Sequence, residues 1–174
     1  MLHKEFVGTI DDFNSDLWGH HVMVPLEIST FFIEHNIKRL QCTLNDMETF
    51  QCALMPKGEG RYFINLNKER RKKLKLELGQ KIKVKLERDH SEYGLPMPEE
   101  LKELMNIDAE GHKLFHALTA GKQRNLLFII GKPKKTETRL HKAWVVLEYL
   151  KSTDGNLDFR DLNQAFREHR DFGL

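Results

Sequence analysis

The sequence contains little of what a secreted scaffold or a membrane protein requires. Only two cysteines, Cys42 and Cys52, occur in 174 residues, too few for the disulfide framework of a small secreted protein. The longest strongly apolar run is LLFII at residues 126–130, whereas a helix that crosses a bilayer needs about 20 apolar residues. The first segment, MLHKEFVGTIDD, turns polar before the apolar region of a signal peptide could form. We therefore expect a cytoplasmic protein with no membrane partner.

Motifs of the common enzyme classes are also missing. The segment KGEG lacks the lysine and hydroxyl residue of a phosphate-binding loop, and there is no nucleophile-elbow serine or dinucleotide-binding glycine pattern. His112 and His116 have the i, i+4 spacing of a metal pair, but no third ligand and no zinc-protease glutamate accompany them. We expect no catalytic residue, no metal and no cofactor. An enzyme with an unrecognised site remains the third alternative.

Positive charge is abundant and unevenly distributed. The formal net charge is +2, yet residues 57–88 contain twelve basic and four acidic residues, and residues 122–142 contain seven basic and one acidic. Such segregation allows a cationic face on a nearly neutral protein, which would suit a small anion or a nucleic acid as partner.

The first 90 residues have the pattern of short strands separated by turns. The clearest strand is KIKVKLE, in which Ile82, Val84 and Leu86 alternate with three lysines, so that one face is buried and the other faces water. The segment KGEG is predicted to be a turn. Two short helices are expected within this sheet, one after Pro25 and one that begins at Asn67, whose side chain suits an N-cap.

Two further segments predict a hairpin that contains both cysteines. Leu40, Cys42 and Leu44 alternate inward, as do Phe50, Cys52 and Leu54 in the next segment. Because directly opposed residues share a face, the connecting loop must have an odd number of residues. A five-residue loop would place the cysteines opposite each other, but buried thiols usually act as small hydrophobic residues.

The second half of the sequence has helical periodicity. Gly94, Pro96 and Pro98 end the strand pattern, so we place a linker at residues 93–96 between a β-domain, residues 1–92, and a helical domain, residues 97–174. Asp108 and Thr119 are candidate N-caps. The aromatic residues expected in hydrophobic cores are Phe31, Phe32, Phe115, Phe128 and Trp144.

Two further motifs occur, one in each half of the sequence. The first consists of Asn67, Lys68, Arg71, Leu74 and Gly79, and the second of Lys132, Thr138 and Arg139. Together they resemble the bacteriocin-protection, porin-associated family of bacteria, in which a barrel domain of unknown function precedes a helical segment. The resemblance extends from Phe6 to about Leu150. It implies an α+β chain with a small double-split β-barrel, a fold shared with AbrB-like DNA-binding regulators, followed by a small helical domain.

Two sets of residues are candidate binding sites. The residues that match the family pattern would hold a carboxylate or phosphate at a seam between barrel and helices, and they are Arg71, Lys132, Thr138 and Arg139. The basic barrel face would bind nucleic acid as a regulator does, through Arg61, Arg70, Arg71, Lys72 and Lys73. The alternatives are that the basic residues form a solvated face and that the arginines make salt bridges or cap helices. The first interpretation is a non-enzymatic binding or stress-protection protein of the bacteriocin-protection type, and a homodimer stays open.

Overall fold

A computed structural model describes residues 3–15 and 19–170 of the chain. These residues fold as two compact units, and the division between them falls between His90 and Ser91. The predicted α+β class is confirmed, because a curled antiparallel sheet, a half-barrel, precedes a set of helices. The linker at residues 93–96 stays a prediction. The predicted domains also include residues 1–2, 16–18 and 171–174, which lie outside the described residues.

Seven strands form one antiparallel sheet in the described part of the first unit. They are β1 His3–Asp12, β2 His20–Val24, β3 Leu40–Leu44, β4 Glu48–Cys52, β5 Met55–Gly58, β6 Arg61–Asn65 and β7 Lys81–Arg88. Their order across the sheet is β4-β3-β7-β1-β2-β6-β5. Strand β1 joins the two halves of the sheet, because residues 3–9 pair with β7 and residues 10–12 pair with β2.

Strand β5 corrects the prediction of a turn at KGEG. The first two residues of that segment continue the strand, and the turn is confined to Glu59 and Gly60. Both residues have positive φ, at 52° and 69°, which is the backbone conformation of a tight two-residue hairpin turn. The turn is therefore shorter than its glycine content suggests.

The alternation predicted for β7 is confirmed. Ile82, Val84 and Leu86 are at most 1% exposed, whereas Lys81 and Lys83 are exposed. The three apolar residues belong to a core that both halves of the sheet share with the first helix. Burial of one face of β7 therefore contributes to closing the curled sheet.

The two predicted helices of the first unit are present, α1 at Leu26–Glu34 and α2 at Lys68–Lys73. Phe32 of α1 is fully buried in the core. Asn67 caps α2, because its side-chain oxygen accepts a hydrogen bond of 2.8 Å from the backbone N–H of Arg70. The cap fixes the start of a helix in which no residue is completely buried.

Five helices make up the described part of the second unit. They are α3 Glu99–Ile107, α4 Ala109–Ala117, α5 Ala120–Gly131, α6 Thr136–Ser152 and α7 Phe159–Glu168. Asp108 and Thr119 cap α4 and α5 as predicted. No helix in the described ranges combines the length and apolar character that a membrane crossing requires.

The core of the second unit corrects one predicted core residue. Phe115 is fully buried, but Phe128 is 59% exposed, so its prediction as core was wrong. Helix α5 turns Leu126, Leu127 and Ile130 inward, and a residue that follows Leu127 by about 100° of helical rotation faces outward. Trp144 is half-buried.

Candidate functional site

Arg139 of α6 has a partner for every nitrogen of its guanidinium group. Its Nε and Nη2 atoms lie 2.9 and 2.6 Å from Oε1 of Glu100. Its Nη1 atom donates to the carbonyl oxygens of Pro133 and Lys134, and Nη2 also donates to Oγ1 of Thr136. The side chain thus ties the first turns of α3 and α6 to the α5–α6 connection.

The ion pair between Arg139 and Glu100 shifts the pKa of both residues toward the charged form. The hydrogen bond from Arg139 lowers the pKa of the Glu100 carboxyl group, and the same bond raises the pKa of Arg139. A surface cavity of about 250 Å³ adjoins the pair and is lined by Pro96, Met97, Pro98, Glu99, Glu100, Gly131 and Arg139. Because two carboxylates line this cavity with one guanidinium, it does not favour an anion.

Lys132 and Lys142 bring two further positive charges together in the second unit. Lys132 is the C-cap residue of α5. The pKa of Lys142 is lowered, mainly by burial and to a smaller extent by the positive charge of Lys132. The Lys142 ammonium group donates to the carbonyl oxygen of Ile129 at 3.4 Å and lies 5.3 Å from the ring centre of Phe166. The ion pairs found among the described residues include neither lysine.

Thr138 lies in the first turn of α6 and is exposed. Lys135 occupies the N-cap position without a side-chain hydrogen bond to the helix. The first N–H groups of α6 therefore lack the side-chain cap that Asp108 and Thr119 give to the two preceding helices. The positive end of a helix dipole lies at these groups, although Glu137 in the same turn offsets part of it.

The α2 helix holds four of the five residues proposed for nucleic acid, and it gives them different surroundings. Lys72 is exposed, and the side chain of Lys73 is 66% exposed and lies 3.4 Å from Glu48. Arg71 donates from Nε to the carbonyl oxygen of Leu66 at 3.2 Å. The fifth residue, Arg61, pairs with Glu59 at the β5–β6 turn.

Arg70 is mostly buried within its own unit. Its guanidinium group lies 3.4 Å from the ring centre of Phe50, its Nε atom is 3.8 Å from Glu48, and its side chain is 16% exposed. Burial lowers its pKa. The sequence did not predict this packing of Arg70, because Phe50 and Glu48 lie about twenty residues earlier in the chain.

The lysines of β7 lie on the outer face of the strand, and two of the three pair with acidic residues. Lys83 pairs with Asp46 at 3.1 Å and with Glu5 at 3.7 Å, and Lys85 pairs with Glu87 at 3.3 Å. The hydrogen bond that Lys83 donates to the carboxylate of Asp46 raises the pKa of Lys83. This part of the basic segment is therefore a mixed-charge surface, typical of a solvated strand.

The two histidines with metal spacing form a small hydrogen-bonded cluster. The rings of His112 and His116 are 4.2 Å apart, and His116 Nε2 lies 2.7 Å from the hydroxyl group of Tyr93. No group of three or more His, Cys, Asp or Glu side chains that could hold a metal ion occurs in the ranges described.

Two family models match the sequence, one for each half. Residues 6–86 match a domain of unknown function, DUF1905. Residues 95–152 match the family described as Bacteriocin-protection, YdeI or OmpD-Associated. The resemblance inferred from the sequence is thereby confirmed. No curated protein and no solved structure matches the chain significantly.

The matched ranges locate the candidate residues within these families. The DUF1905 half contains α2 with Arg70 and Arg71, and the bacteriocin-protection-associated half contains α3 to α6 with Lys132 and Arg139. Helix α7 lies beyond the second match. The chain thus matches a domain of unknown function in its first half and a bacteriocin-protection-associated family in its second half.

Proposed function

We propose that this protein is a non-enzymatic binding protein whose helical unit binds a small oxyanion, such as phosphate, between Lys132 and Lys142. The observation that carries the proposal is the charge of Lys132 close to the partly buried ammonium group of Lys142, and neither lysine has a carboxylate partner among the described ion pairs. An anion between them would offset both the repulsion and the desolvation of Lys142.

The first turn of α6 supports the same ligand chemistry. Its N–H groups lack a side-chain cap, and backbone N–H groups at a helix N-terminus favour negative charge. Thr138 adds an exposed hydroxyl group to this turn. Lys132 and Thr138 are two of the residues that the sequence predicts for the anion.

Arg139 takes a positioning role in this proposal. Its guanidinium nitrogens already have partners in Glu100, Thr136 and two carbonyl oxygens. A direct bidentate grip on an anion would require Glu100 to leave, whereas a positioning role keeps the α5–α6 connection in place. Arg71 donates to the carbonyl oxygen of Leu66 within the first unit, and its role in anion binding stays a prediction from the sequence.

The test compares thermal stabilisation by phosphate at constant ionic strength. Lys142→Met keeps the apolar stem and removes the charge, and Lys132→Met does the same for its neighbour. The control is Lys113→Met on α4, an exposed lysine in the same unit. Saturating phosphate at about 100 times its dissociation constant stabilises a binding protein by about 2.7 kcal/mol.

We expect phosphate to raise the unfolding temperature of the wild type and the Lys113→Met variant. Each of the other two variants should lose most of that increase while it keeps its helical circular dichroism. Equal stabilisation of all four proteins would contradict the proposal, and so would the absence of stabilisation in the wild type.

A further inference from the structure

Cys42 and Cys52 are close neighbours on one face of the β3–β4 hairpin. The register pairs Cys42 with Phe50 and Leu40 with Cys52, so the connecting loop has three residues, an odd number as the sequence requires. The cysteines are therefore diagonal neighbours rather than directly opposed. Diagonal positions on the same face of an antiparallel pair are within reach of each other's side chains.

The two thiols also contact each other. A side-chain hydrogen bond with Cys52 is the largest cause of the raised pKa of Cys42, and burial raises that pKa further. Both residues pack in the same hydrophobic core, and both are free thiols. A disulfide requires the two β-carbons to approach to about 3.5–4.5 Å, so the hairpin must adjust locally before the bond can form.

Access from solvent differs between the two sulfur atoms. Cys42 is completely buried, whereas Cys52 is only partly buried. Cys52 lies in β4, a strand at one end of the sheet order. A small oxidant therefore reaches Cys52 first, and Cys42 lies behind it as a protected second thiol.

Arg70 places a positive charge near the pair. Its guanidinium group lies over Phe50, the residue opposite Cys42. Its charge opposes the effects of Cys52 and of burial that raise the pKa of Cys42. Positive neighbours favour the thiolate, which is the form of cysteine that reacts.

We propose that Cys42 and Cys52 form a redox modification site at which a peroxide converts the two thiols into an intramolecular disulfide. The Cys52 sulfur attacks one oxygen of hydrogen peroxide, the O–O bond breaks, and the hydroxide that leaves takes the thiol proton as water. The Cys42 sulfur then attacks the sulfur of the Cys52 sulfenic acid. The S–O bond breaks, and the departing hydroxide takes the Cys42 proton as a second water.

The electrons and protons of these two reaction steps balance. Two thiols lose two electrons and two protons, and one peroxide molecule gains them to become two water molecules. A small thiol such as dithiothreitol reverses the change by thiol–disulfide exchange. The disulfide closes the β3–β4 hairpin covalently without involving the lysines of the proposed anion site.

To test this, the folded, reduced full-length protein is treated with hydrogen peroxide, and the remaining thiols are blocked by alkylation. The protein is then digested, and the peptides are identified by mass spectrometry. We expect a peptide pair joined through Cys42 and Cys52 that disappears after dithiothreitol. Cys42→Ala should lose the cross-link and leave a Cys52 sulfenic acid that dimedone traps. Cys52→Ala should leave Cys42 unmodified while the protein is folded.

Several results would contradict the proposed redox site at Cys42 and Cys52. They are a wild type that stays fully alkylatable, a cross-link only between two chains, and dimedone trapping in the wild type as extensive as in Cys42→Ala. The wild-type protein alone shows whether the cross-link forms. The proposal can therefore be contradicted even if an alanine variant does not fold. Formation of the cross-link should also be slower in Arg70→Met and unchanged in Arg71→Met, and equal rates would remove Arg70 from the mechanism.

Discussion

The guanidinium group of Arg139 and the carboxylate of Glu100 form an ion pair of 2.6 Å between helices α6 and α3. The two residues are 39 positions apart. Glu100 also lies in the first turn of its own helix, where a carboxylate is stabilised by the helix dipole. The pair thus joins two helix starts within the bacteriocin-protection-associated half.

The pair predicts a specific dependence of stability on pH. Because Arg139 lowers the pKa of Glu100 in the folded protein, the carboxylate stabilises the fold above the unfolded-state pKa of about 4.3, and this contribution is lost as the pH falls through the lower folded-state value. Glu100→Gln should therefore be less stable than wild type at pH 7, and the difference should shrink in acid. Urea unfolding at several pH values measures it. Glu99 is an exposed neighbour in the same turn. Glu99→Gln should therefore lower the free energy of unfolding by less, and this loss should depend less on pH.

Contact between Arg70 and Phe50 predicts an energetic coupling. A guanidinium group over an aromatic ring contributes about 0.5–2 kcal/mol, more when it is desolvated. A double-mutant cycle with Arg70→Met and Phe50→Leu, followed by urea unfolding, should give a coupling energy in this range. The same cycle with Arg71→Met should be additive within about 0.5 kcal/mol. Additivity of the Arg70 cycle would show that the contact stabilises nothing.

Burial of the apolar face of β7 predicts a large cost for its truncation. Leu86 is completely buried, whereas Leu78 in the same unit is 60% exposed. Leu86→Ala should lower the free energy of unfolding by about 2–5 kcal/mol, because it leaves a cavity. Leu78→Ala should change it by no more than about 0.5 kcal/mol. Similar costs for the two substitutions would contradict the burial pattern of the sheet.

The nucleic-acid alternative is tested best without touching Arg70, because that side chain belongs to the packing of the sheet. Substitution of Arg71, Lys72 and Lys73 by glutamine removes three charges from α2. If α2 binds nucleic acid, affinity for mixed oligonucleotides in about 50 mM salt should fall, and the salt dependence should decrease by about 0.9 per lost phosphate contact with duplex DNA. The same substitution of Lys81, Lys83 and Lys85 is the control for charge. No binding by the wild type would exclude this alternative.

Local patterns in the sequence predicted many of the elements. The period-two alternation identified the buried face of β7, and the odd loop length of the β3–β4 hairpin followed from Cys42 and Cys52 facing inward. Asn67, Asp108 and Thr119 were recognisable as N-caps. The sequence did not predict β5 or the outward direction of Phe128. The first depends on the size of a turn, and the second on which face of α5 meets the other helices.

The sequence by itself determined where most of the strands and helices form, because alternation and capping act between residues only a few positions apart. It also identified the two families through motifs that are local. Only the tertiary structure decided what each basic residue does. Arg70 lies over Phe50, Arg139 binds Glu100, and Lys142 lies near Lys132, because packing brings together side chains that are distant in sequence and sets which charges are paired, buried or left to solvent.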